Sequence, residues 1–73
     1  MTKLPEIDGR RLARALERAG FTFERQSGSH ALFKHGDGRL VTVPMHDRDE
    51  KTGTLASILK AAGLTADELR ELE

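Results

Sequence analysis

Two glycine-centred turns stand close together in the middle of this chain, and they decide most of what it can fold into. Ser27-Gly28-Ser29 and Gly36-Asp37-Gly38 bracket His30-Ala31-Leu32-Phe33-Lys34-His35, which leaves room for one short strand between them. Before the first turn, Phe21-Thr22-Phe23-Glu24-Arg25-Gln26 alternates apolar and polar residues, as a half-buried strand does. After the second, Arg39-Leu40-Val41-Thr42-Val43 is rich in β-branched residues and stops at Pro44, which cannot donate to a ladder. Gly28 supplies the positive φ a tight turn needs, and Asp37-Gly38 is a favoured hairpin pair. Three strands joined this tightly form an antiparallel meander. Alternation then assigns faces. Phe21 and Phe23 face the core, and so does the face of the middle strand that carries Phe33, its largest apolar anchor. Ala31 and His35 share that face, so His30, Leu32 and Lys34 point the other way.

Helical patterns flank the meander. Asp8 is placed to cap a helix over Asp8–Ala19 that Gly20 closes, with Ile7 and Leu12 in staple positions. Leu12, Ala15, Leu16 and Ala19 recur at helical spacing as the buried stripe. Arg10, Arg11, Arg14 and Arg18 fall outside it, either as a phosphate-facing surface or as an ordinary solvated face. A second helix over Thr52–Ala62 puts Leu55, Ile58, Leu59 and Ala62 on one side and ends at Gly63. A third begins at Thr65, where Thr65 and Glu68 form a capping box and Leu64 and Leu69 a staple. The expected fold is α+β: a three-stranded antiparallel sheet with helices on one face, plus a short C-terminal helix, in one domain over residues 1–73. Its expected core is Leu12, Leu16, Phe21, Phe23, Phe33, Val41, Val43, Leu55, Ile58 and Leu59.

Composition narrows the function. A chain of 73 residues buries only about 60% of its unfolded surface, so its core is thin. Without cysteine it has neither disulfides nor thiolate metal ligands, which fits a reducing compartment. No apolar run approaches a membrane span and the N-terminus lacks a signal-peptide core, so a cytoplasmic location is expected. Net charge is zero but unevenly spread. Residues 1–46 carry eight Lys/Arg against five Asp/Glu, and residues 47–73 four against seven. A neutral molecule can therefore present a basic face.

His30 is the strongest candidate for chemistry. The Gly28-Ser29 turn fixes it at the start of a strand near arginine and lysine, and its unperturbed pKa of about 6.5 lets it move protons near neutrality. Beside cations, such an imidazole suits a reaction on a phosphodiester. His46 follows Pro44 and is a second candidate, whereas His35 on the inward face reads as structural. The histidines with Asp47 and Asp49 lack a metal-site spacing, so no metal or cofactor is expected. Ser27 and Ser29 lack a nucleophile elbow, and the glycines sit in hairpins rather than at a phosphate-binding helix start.

The ordered set of motifs resembles the HicA toxin family, the small mRNA interferases of type II toxin–antitoxin pairs. The likeness runs through Leu16-Glu17-Arg18-Ala19-Gly20-Phe21, Arg25-Gln26-Ser27-Gly28-Ser29-His30, Asp37-Gly38-Arg39, Val41-Thr42-Val43-Pro44 with His46, and Gly53-Thr54-Leu55 leading into Ile58-Leu59-Lys60-Ala61-Ala62-Gly63-Leu64. It covers about residues 6–70. It implies a double-stranded-RNA-binding-like α-β-β-β-α fold, cleavage of mRNA that inhibits translation, a catalytic histidine at His30, and a HicB-like antitoxin that blocks the site. In such a nuclease His30 would act as general acid/base without a metal. His46, Lys34 and Lys51 are candidate helpers, and Arg10, Arg11, Arg14, Arg18, Arg25, Gly28 and Ser29 candidate RNA contacts. Two other readings use the same frame: a noncatalytic double-stranded-RNA-binding module, and a protein-interaction domain.

Overall fold

A computed structural model describes residues 7–45 and 52–73. The elements run α1 (Gly9–Arg18), β1 (Phe21–Ser27), β2 (His30–His35), β3 (Leu40–Pro44), α2 (Thr52–Ala62) and α3 (Ala66–Leu72). The strands form one antiparallel sheet in the order β1-β2-β3. This is the α+β arrangement the turns imply, with the helices packed on one side of the sheet. α1 lies against β1 and β3, α2 against β3, and α3 against α1.

Local signals explain where the elements stop. The Asp8 carboxylate accepts a hydrogen bond from the Arg11 backbone N–H at 2.9 Å, satisfying one of the amides a helix start leaves open. Both staple residues, Ile7 and Leu12, are fully buried. At the end of α2 the Gly63 amide donates to the Lys60 carbonyl and the Leu64 amide to that of Leu59, a complete Schellman closure. The box at α3 forms in both directions: Glu68 N–H donates to Thr65 Oγ1, and Thr65 N–H to Glu68 Oε1.

The core is Ile7, Leu12, Ala13, Ala15, Leu16, Phe21, Ala31, Phe33, Val41, Val43, Leu55, Ile58, Leu59, Ala62 and Leu69. Every expected core residue is there except Phe23. Its ring meets Phe33 edge-on, centroids 5.8 Å apart, yet it is 53% exposed. The inward assignment is right but burial fails, because β1 is an edge strand and nothing among the described residues covers its second half. Beyond Phe21 every β1 residue is exposed.

Two strands end one residue later than expected. The first turn contains only Gly28 and Ser29, since Ser27 pairs with His30. Gly28 has φ of 59° while Ser29 is not left-handed, as in a type II′ hairpin. Pro44 belongs to β3, opposite His30. Its missing N–H is tolerated because β3 is the other edge of the sheet.

One inter-element staple fixes the far end of the sheet. Arg39 hydrogen-bonds the Ala62 carbonyl at the end of α2, lies 5.2 Å from the Phe21 ring centroid and pairs with Asp37 at 2.8 Å. Hydrogen bonds from the Arg39 side chain and backbone amide hold the Asp37 carboxyl below the usual carboxylate range.

Candidate nucleic-acid interface

The helices leave one face of the sheet open, and pairing arranges its side chains in three rows. Ser27, His30 and Pro44 form the first, Arg25, Leu32 and Thr42 the second, and Thr22, Lys34 and Leu40 the third. Leu32 and Pro44 are half-buried and the rest exposed, Leu40 by 54%. The inward face of β2 carries Ala31 and Phe33, 1% and 3% exposed. Because neighbours on a strand point to opposite sides, that burial fixes His30 on the open face.

The carbonyls of the turn before His30 are both held by hydrogen bonds. Gln26 Nε2 donates to the Gly28 carbonyl at 2.9 Å, and Met45 N–H to the Ser29 carbonyl at 2.5 Å. α1 braces the same end from behind: a Cβ on Gly9 would lie 2.2 Å from the Pro44 carbonyl oxygen. A side chain there would collide with main chain, so Gly9 lets the helix start touch the strand that pairs with His30.

Arg25 reaches the open face through an irregularity. Strict alternation from Phe21 and Phe23 would turn Arg25 inward. The register instead shifts between Phe23 and Arg25, leaving Glu24 as the extra residue of a β-bulge and placing Arg25 opposite Leu32. Arg25 is then the diagonal neighbour of His30, a relation that spaces strand positions about 7–8 Å apart in a regular ladder. The sequence did carry a signal: an arginine at a nominally inward position is a conflict that a bulge resolves.

Lys34 shares the face but stands four residues along the strand, about 13 Å from His30. Gly28 and Ser29 form the turn beside His30. His46 and Lys51 lie outside the described residues. His35 has the structural role expected of it, with its ring 5.0 Å from that of Phe21 and its Nδ1 accepting from the Asp37 amide.

The arginines of α1 are not brought to His30. Arg11, Arg14 and Arg18 line a cleft between α1 and α3, in the helical layer behind the sheet. Arg11 pairs with Glu73 at 2.5 Å and Arg18 Nη1 donates to the Leu72 carbonyl at 2.7 Å. Arg10, the second residue of α1, is exposed. Among the described residues, no three His, Asp or Glu side chains are grouped as metal ligands, and no helix is long and apolar enough to cross a membrane.

A family model described as the HicA toxin of bacterial toxin-antitoxin matches residues 9–64 of the 73-residue chain. No curated protein matches it.

Proposed function

The chain belongs to the HicA toxin family of bacterial toxin–antitoxin systems, and from that premise we propose that it is a metal-independent endoribonuclease that cleaves mRNA with His30 as general base. The observation that carries the reading is the placement of His30 on the open sheet face, at a turn whose two carbonyls accept from the Gln26 side chain and the Met45 amide, with Arg25 as its diagonal neighbour.

RNA supplies its own nucleophile. His30 takes the proton of a 2′-hydroxyl, the 2′-oxygen attacks the adjacent phosphorus, and the bond to the 5′-oxygen breaks. The products are a 2′,3′-cyclic phosphate and, once the leaving oxygen takes a proton, a 5′-hydroxyl. Arg25 and the amides of the Gly28-Ser29 turn stabilise charge growing on the phosphoryl oxygens, while Lys34 holds the strand further along. His46 is the candidate acid for the leaving oxygen. General acid–base assistance of about 10²–10⁴-fold makes a slow nuclease, which is enough for a toxin. The family implies an antitoxin partner, which we take to be HicB-like.

The test pairs growth with chemistry. Wild-type protein should arrest growth and cut RNA in excess EDTA, leaving cyclic phosphate ends. His30→Ala should do neither, with at least a 100-fold loss of cleavage. Activity that needs an added divalent ion overturns the mechanism. RNA binding without cleavage by the wild type favours the noncatalytic double-stranded-RNA-binding module.

A further inference from the structure

The cleft between α1 and α3 holds about 240 Å³ and is lined by Arg11, Arg14, Ala15, Arg18, Leu72 and Glu73. Three of the six lining residues are arginines. Arg11 holds the Glu73 carboxylate and Arg18 the Leu72 carbonyl, whereas Arg14 has no hydrogen-bond or ion-pair partner among the described residues. The Glu73 side chain is 20% exposed, so it is seated in the cleft rather than passing over it. Ala15 and Leu72 give the walls an apolar part suited to the methylene stem of an acidic side chain. α3 lies outside residues 9–64, the stretch that matches the family model, while the arginines facing it from α1 lie within.

We propose that this cleft is a binding site for a carboxylate-bearing segment of a protein partner, and that Glu73 is the intramolecular group such a segment displaces. Arg14 takes the incoming carboxylate, and Arg11 exchanges Glu73 for it. A peptide fits better than a nucleic-acid strand for a reason of charge. Asp67, Glu68, Glu71 and Glu73 belong to the α3 segment against Arg70 alone, so a polyanion bearing a charge at every nucleotide meets repulsion beside the cleft. A peptide can place one carboxylate on Arg14 and cationic or neutral residues near those acids. The site lies behind the sheet and is independent of His30 chemistry.

The experiment is a titration of the full chain with a blocked peptide copying residues 70–73, Arg-Glu-Leu-Glu, followed through the arginine Nε–H signals by NMR. The signals of Arg11, Arg14 and Arg18 should move, and that of Arg25 should not. Glu73→Gln should tighten binding about two- to fivefold by releasing Arg11, and Arg14→Ala should weaken it by a similar factor, the scale of an exposed ion pair. Shifts confined to the sheet face, or an affinity unchanged by Glu73→Gln and Arg14→Ala, overturn the proposal. So does a short RNA that moves the cleft signals more strongly than the peptide at equal concentration.

Discussion

Phe23 and Phe33 face each other across two strands on the same side of the sheet, yet they occupy different environments. Phe33 is 3% exposed and packed from every side, while Phe23 covers it and keeps 53% of its own surface in water. Replacing Phe33 with Ala should cost about 3–5 kcal/mol, a large part of what so small a domain has to lose. Phe23→Ala should cost about 1–2 kcal/mol, the sum of an edge-to-face pair and partial burial. Urea unfolding of both variants measures the difference; equal losses would mean that Phe23 is buried as alternation alone predicts. Period-2 reading reports which side a residue faces, and here it was right for both rings. It does not report whether anything covers that side, since cover comes from helices remote in sequence.

The elements show the same division between local and distant causes. Caps, staples and turns act within a few residues, so both ends of α1, the close of α2 and the box of α3 were legible in the chain. The docking of α3 was not, because it depends on a neighbouring element, and the β1 bulge left only one trace, an arginine at a nominally inward position. The bulge matters for chemistry, since it carries Arg25 onto the face of His30. Exchanging its two charged residues in Glu24→Arg/Arg25→Glu preserves composition and net charge but puts a carboxylate where the structure has a guanidinium. RNA cleavage should fall at least tenfold, about 1.4 kcal/mol of transition-state stabilisation, with the unfolding midpoint nearly unchanged. Cleavage at the wild-type rate would remove Arg25 from the site. The α1 arginines are the complementary case. Their sequence pattern suited either a phosphate-facing or a solvated helix, whereas packing ties Arg11 and Arg18 to the α3 segment.

At the scale of the molecule, the sheet separates two charged surfaces. His30, Arg25 and Lys34 lie on the open face, and the cleft arginines lie in the helical layer behind it. If the proposed chemistry at His30 holds, a partner that silences it need not engage both; covering the sheet face would suffice. That face suits the role: Leu32 and Leu40 give it apolar surface, and Arg25 and Lys34 give it the charge that would attract an acidic inhibitor. A stable interface buries at least about 1,000 Å² in total, so this chain would contribute about 500 Å² of its 4814 Å². Because the partner binds only the folded chain, it should also raise the apparent stability by mass action. We therefore expect a HicB-like antitoxin to co-purify with the chain, to raise its melting temperature in proportion to the logarithm of antitoxin concentration, and to abolish RNA cleavage. Hydrogen exchange should show protection along β1, β2 and the Gly28-Ser29 turn when the partner is added. A complex that protects only α1 and α3 and leaves cleavage undiminished would show that the partner reads the helical layer instead, and would overturn masking of His30.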